Sequence, residues 1–244
     1  AVRQRCIWSS FMRPLFTLGA RLALCADLVR PGRALCDVGT DHAYLPIWLL
    51  KMGKIPRALA CDVNPGPLEA ARRDGEKYQV GEGLTLRLSD GLRQVTPEEA
   101  EDIVIAGMGG ELLLRIVEET PWLREGEKRL ILQPMSSVPE LRQGLRRLGF
   151  VVLEEHAVQD GGKVYSAFCA GYAGSPVKTD PLYPWMGKLI PGDPHVDTYA
   201  RKVLRELTAQ RKGALHRGDA SGVAQLEGWI REIGDRYLGE DISF

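Results

Sequence analysis

The feature that most constrains this chain is an alternation. Short apolar runs ending in turn residues take turns with longer stretches of helical periodicity. The runs are "RALCDVG", "RALACDV", "LTLRLSD", "DIVIAGM" and "RLILQP". Between them lie "AYLPIWLLKMG", "PGPLEAARRDGEKYQV", "GGELLLRIVEET" and "VPELRQGLRRLG", each with apolar residues at helical spacing and a Gly or Pro near its boundary. This order predicts an α/β fold, a parallel sheet with crossover helices. Two further strands, "FVVLEEHAV" and "KVYSAFCAGYA", flank "QDGG". That segment reads as a hairpin turn, so the sheet is expected to finish with an antiparallel pair.

The pattern changes after residue 173, where prolines at 176, 181, 184, 191 and 194 mark a linker or docking segment. Beyond it Val196, Ala200, Val203, Leu207, Gln210 and Ala214 repeat in steps of four and three, as do Val223, Leu226, Ile230, Ile233 and Tyr237. "HRGDASG" between them reads as a turn, which predicts an antiparallel helical pair. Each seam is about three heptads long, so the pair is expected to pack on the sheet domain or on a partner. Its first helix carries Arg201, Lys202, Arg205, Arg211, Lys212 and Arg217, which a solvated face would equally explain. The expected organisation is an extension over 1–17, a sheet domain over 18–173, a proline-rich linker over 174–194 and a coiled-coil-like helical domain over 195–244.

Charge offers no shortcut to function, because 32 basic side chains balance 32 acidic ones in 244 residues. Any polyanion must be met by local clustering. Five cysteines with no CxxC pair argue against a zinc site or a disulfide framework and point to a reducing, cytoplasmic compartment. No apolar run approaches the roughly 20 residues of a membrane span. Arg3, Arg5 and Arg13 near the N-terminus read as a basic arm or a solvated tail.

In open parallel sheets, ligands sit beyond the carboxyl ends of the strands. The residues leaving those strands are Asp37-Val38-Gly39-Thr40-Asp41, Asp62-Val63-Asn64, Ser89-Asp90-Gly91 and Ala106-Gly107-Met108-Gly109-Gly110. Asp62 follows Asp37 by 25 positions, near the spacing at which a strand-two carboxylate accepts hydrogen bonds from ribose hydroxyls. NAD and S-adenosylmethionine sites share that carboxylate, and the first loop separates them. A dinucleotide needs GxGxxG, whereas this loop keeps Gly39 and then places Asp41, which would repel a pyrophosphate. S-adenosylmethionine has no phosphate and carries a sulfonium cation that an acidic pocket favours. Asp90 suits a hydrogen bond from its adenine amino group, with Gly91 giving the ring room. An Asp at a strand end can also be a simple cap or turn residue, and Asp41 could cap "HAYLP".

With those residues in place, the chain resembles the bacterial tRNA (adenine(22)-N(1))-methyltransferase family from about Leu18 to its end. "DVGTDHAYLP", "IAGMGGELL", "LILQPMSSVPELRQGLRRLGF" and the "QDGGKVY" hairpin carry the resemblance. It implies a Rossmann-like class I methyltransferase sheet, S-adenosyl-L-methionine as donor, and tRNA as substrate, methylated at adenine N1 in the D arm. Carried over by position, Asp41 is the leading catalytic candidate, with His42 and Tyr44 beside it. Asp37, Gly39, Asp62, Val63, Asp90, Gly91, Ala106, Gly107 and Met108 are the expected cofactor residues, and no metal is expected. By their place in the chain, Gln133 and Pro134 leave strand five where they could line the pocket, and Arg142, Arg146 and Arg147 read equally as phosphate contacts or as a solvated helix face. The residues also admit a methyltransferase for a small molecule or protein, and a noncatalytic RNA-binding module on the same fold. Oligomeric state stays open, with a monomer favoured.

Overall fold

The computed structural model describes residues 15–176 and 178–244. The arm bearing Arg3, Arg5 and Arg13 lies outside them. The sheet strands are β1 (Leu35–Val38), β2 (Ala58–Asp62), β3 (Leu84–Leu88), β4 (Asp102–Gly109), β5 (Arg129–Ser136), β6 (Phe150–Asp160) and β7 (Lys163–Tyr172). Their order is β3-β2-β1-β4-β5-β7-β6, with β1 to β5 parallel and β7 antiparallel to both β5 and β6. The chain moves outward from β1 to β3, then returns to β4 on the other side of β1. That reversal opens a crevice at the carboxyl ends of β1 and β4.

Strict alternation along the central strands builds two cores. Ile103, Ile105, Leu130 and Leu132 face α4 (Gly110–Glu118) and α5 (Val138–Arg147), while Val104 and Ile131 face α1 (Ala20–Leu28) and α2 (Tyr44–Lys51). Burial of such a side chain stabilises by roughly 1.5–3 kcal/mol. α3 (Pro65–Tyr78) completes the second face, where Ala71 meets Ala60 and Ile47.

A third core holds the C-terminal half. α7 (Pro194–His216) and α8 (Ala220–Ile233) pair and pack, together with the short α6 (Tyr183–Met186), on Ala157 and Val164 of the β6–β7 hairpin. Val196, Ala200, Val203, Leu207 and Ala214 are buried as the seam requires, whereas Gln210 is exposed. Its amide has no place in that apolar layer. Within the proline-rich stretch Leu182, Tyr183, Met186 and Leu189 are buried. Asp193 and Asp219 cap the two long helices through the amides of His195 and Gly222.

Arg142 corrects an expectation. Its side chain is fully buried in an ion pair with the equally buried Glu155, and it also donates to the carbonyls of Pro184 and Trp185 at 2.8 Å. Glu155 accepts from the Lys188 amide at 2.9 Å. Arg142 therefore joins α5, β6 and α6 and is closed to any phosphate. The helical period that put it one turn before Arg146 did not show which side of α5 faces the α6 segment.

Candidate active site

The first strand exit is tied down by its neighbours. The amides of Gly39 and Thr40 donate to the Cys61 carbonyl of β2 at 2.8 and 2.9 Å. Gly39 has φ +74°, and a Cβ there would lie 1.9 Å from Met108 Cε. The β1 turn and the β4 exit are thus in direct contact, and only glycine allows it.

Asp37 lies buried beneath this turn. Burial pushes its carboxyl up to about 6, partly offset by the Thr40 hydroxyl and reinforced by the negative charge of Asp62. The Thr40 hydroxyl is buried and makes no full hydrogen bond. A buried hydroxyl with its capacity unspent therefore lies beside a buried carboxyl, an arrangement that favours an incoming donor or cation.

Asp62 ends β2 and accepts from the Asn64 amide at 2.7 Å through one oxygen. Val63 beside it is exposed. After β3, the Ser89 hydroxyl donates to the Gly91 carbonyl and accepts from the Gln94 amide, which closes the turn and sets Asp90 outside it. Asp90 pairs with Arg93 at 3.2 Å, and Gly91, at φ +58°, is packed close to Ile116.

The β4 exit carries a bulge. Pairing with β5 slips between Ala106 and Met108, and the intervening Gly107 has φ +79°. Its amide donates to Gln133 Oε1 at 3.2 Å. The same oxygen accepts from Arg21 at 2.9 Å, and Arg21 in turn pairs with Asp160 at 3.0 Å. A fully buried glutamine and an arginine from α1 thus hold a loop that the ladder leaves free. Pro134 follows Gln133, and its carbonyl accepts from Gln133 Nε2 at 3.0 Å.

Asp41 stands on the outer lip of the β1 turn with 84% of its side chain exposed. It does not cap α2, whose N-cap is Ala43 in the left-handed conformation at φ 52° without a side-chain bond. His42 Nδ1 lies 2.8 Å from Asp74 Oδ2 on α3. A proton on Nδ1 is held by that carboxylate, which leaves Nε2 as the free nitrogen, 3.9 Å from Asp41. The imidazole stacks on Tyr44, with centroids 4.9 Å apart and planes 4° from parallel, and Phe16 meets Tyr44 edge-on at 5.0 Å. Tyr44 keeps 38% exposure, so it is a wall of the mouth and not part of the core.

The fold brings together the exits of β1, β2 and β4 and keeps Asp90 on the rim beside them. Arg21, Asp74 and Asp160 escape a reading of strand ends because they come from a helix preceding the sheet, from the middle of α3 and from the hairpin tip. Their one sequence signal is charge inside otherwise patterned elements.

An open α/β sheet whose strand exits gather carboxylates around one crevice is the architecture of a Rossmann-like methyltransferase, and residues 18–168 match the family described as a methyltransferase domain. The chain is 34% identical over 153 residues to the tRNA (adenine(22)-N(1))-methyltransferase of Bacillus subtilis, across 63% of this chain and 64% of that protein. The match therefore spans a little under two thirds of that relative's length. The structure is similar to that of Streptococcus pneumoniae Sp1610 in complex with S-adenosyl-L-methionine, with TM-score 0.75 and 30% identity over 86% of this chain and 98% of that one. It is also similar to the B. subtilis M1A22 tRNA methyltransferase, with TM-score 0.66 and 26% identity over 91% and 96%. The chain belongs to the tRNA (adenine(22)-N(1))-methyltransferase family.

Proposed function

We propose that the protein methylates N1 of adenine 22 in the D arm of tRNA, using S-adenosyl-L-methionine. The observation that carries this reading is the division of one turn into a buried acid, Asp37, and an exposed one, Asp41, four residues on. The first suits the cationic donor and the second suits a base arriving from outside.

The donor fits the residues present. Asp37 and the unpartnered Thr40 hydroxyl are ready to receive its polar end, Asp62 has an oxygen left for ribose hydroxyls, and Gly39, Gly91 and Gly107 keep side chains out of its path. Val63, Ala106 and Met108 supply the apolar lining, and Asp90 the rim acceptor. When bound, the donor supplies an electrophilic methyl group on a sulfonium.

The protein's own residues then have a positioning task. Adenine N1 carries an in-plane lone pair and no proton, so it needs neither a general base nor a metal to become nucleophilic. Charge grows on the adenine ring as the methyl arrives. Asp41 stabilises that charge or accepts from the exocyclic amino group. His42, fixed by Asp74 and stacked on Tyr44, offers a flat wall for the base. The bulged Gly107 loop, held by Gln133 and Arg21, lacks the side-chain acceptors that exocyclic-amine methylation employs, which favours N1 over N6. N1 lies on the Watson–Crick edge, so the adenine must be unpaired before it enters. In this reading residues 18–173 are the catalytic unit, 174–194 connect, and 195–244 help to hold RNA in the cytoplasm.

Mass spectrometry of nucleosides from unmodified bacterial tRNA tests the reading. Wild type is expected to yield 1-methyladenosine, and Asp41→Asn to lose most activity while keeping donor affinity. Formation of N6-methyladenosine, or full activity in the variant, would refute it.

A further inference from the structure

With Arg142 buried, the question of what grips the RNA backbone reopens, and the structure offers a different surface. β7 runs antiparallel to β5, so the β6–β7 turn sits at the same sheet edge as the carboxyl ends of the parallel strands. The N-terminal half of α7 passes over that edge. Between them lies a cleft of about 420 Å³ lined by Met135, Lys163, Tyr165, Thr198, Lys202 and Arg205. A neighbouring cleft of about 340 Å³ shares Met135 and Lys202 and extends to Ser136 and Ser137. The pair is continuous with the active site, because Met135 Sδ accepts from Arg21, the residue that holds Gln133 and through it Gly107.

The cleft gathers cations that have no acidic partner. Arg201, Arg211 and Arg231 of the helical pair, and Arg236 just beyond it, are neutralised by Glu240, Glu227 or Asp180. Lys163, Lys202 and Arg205 make no ion pair among the described residues. Lys202 lies over the Tyr199 ring at 5.6 Å, an arrangement that leaves its charge available. Of the nearby acids, Asp160 is taken by Arg21, and Glu206 and Asp197 lie on α7 beside the cations. In a chain with no net charge, three uncompensated cations converging on one cleft beside the catalytic mouth are a local anion site.

We propose that this cleft holds phosphates of the RNA strand leading into the active site, with Lys163 gripping from the hairpin turn and Lys202 and Arg205 from α7. The proposal rests on the reading of the protein as a tRNA methyltransferase. It explains why the helical pair is docked on the hairpin by its own apolar core, since the two halves of the grip must keep a fixed separation.

The test is direct binding of a fluorescently labelled, unmodified tRNA transcript to the full chain, with S-adenosylmethionine affinity measured on each variant. The triple variant Lys163→Glu, Lys202→Glu and Arg205→Glu is expected to bind tRNA about 100-fold more weakly at moderate salt, with donor affinity unchanged. The slope of log affinity against log salt should shrink by about one for each cation removed. Arg57→Glu, on the opposite edge of the sheet, should leave both affinities as they were. If the triple variant loses donor binding through misfolding, the single exposed changes Lys163→Gln and Arg205→Gln decide, each expected to weaken tRNA binding about fivefold. Unchanged tRNA affinity in the triple variant, or equal weakening by Arg57→Glu, would overturn the proposal. Absence of methyl transfer by wild type would instead refute the proposed function, while the binding measurements would still decide the cleft.

Discussion

The buried Asp37 carboxyl makes the stability of the free protein and its grip on the donor depend on pH in opposite senses. Its proton affinity is raised from a usual value near 3.8 to about 6, chiefly because burial disfavours the ion. Between about pH 4 and pH 6 the folded state therefore holds a proton that the unfolded chain has released. Stability from this group is present below pH 4, is lost as pH rises to 6, and is constant above. The shift corresponds to about 3 kcal/mol. Asp37→Asn removes the ion without changing the shape. Urea unfolding at pH 4.5, 5.5, 6.5 and 7.5 is expected to show the variant gaining on wild type as pH rises, by up to ~3 kcal/mol. Taking the difference between the two proteins cancels every other titrating group. Glu99 is one such group, held down to about 2 by Arg87 and the Thr96 amide, and its contribution is lost progressively as pH falls from about 4.5 to 2. Donor binding should run the other way. A cation is held best by the ionised acid, so wild-type affinity should fall about tenfold for each pH unit below 6, and Asp37→Asn should bind weakly at every pH. Calorimetry in two buffers of different ionisation enthalpy should record proton release at pH 5.5. A flat stability difference, or donor affinity constant from pH 5 to 7, would refute the reasoning.

Two other perturbations address the framework around the site. Glu155→Gln leaves the Arg142 charge buried without its counter-ion and is expected to cost about 3–5 kcal/mol in urea unfolding, whereas replacing both residues by methionine should cost far less. Gly39→Ala puts a Cβ against Met108 Cε at a backbone angle that disfavours side chains. It should abolish donor binding measured by calorimetry, and adding Met108→Ala should restore part of it by removing the contact but not the strain.

The strands and crossover helices were legible because burial on a sheet writes itself locally. Ile103, Val104 and Ile105 must all be apolar whatever lies on either side, and each exit residue is fixed by where its run stops. The seam of α7 was equally readable up to Gln210, where a polar residue at a heptad position proved to face water. Asp37, Gly39, Asp62 and Asp41 could be singled out because a strand end is both a local event and the place where ligands bind. Arg142 was misread for the opposite reason. Its partner Glu155 is 13 residues away on a strand, and the carbonyls it bonds belong to a segment 42 residues on. Nothing in the spacing of α5 announces either.

The sequence by itself determined the class of fold, the order of strand exits and the preference for a sulfonium donor over a dinucleotide, because each follows from residues adjacent in the chain. Tertiary structure decided which charges are free and which are spent. Arg21 is committed to Asp160 and Gln133, Asp74 to His42 and Arg142 to Glu155, while Lys163, Lys202 and Arg205 are left to converge on one cleft. The physical reason is that a charge is set by what lies within a few ångströms of it, and for these residues those neighbours come from distant parts of the chain.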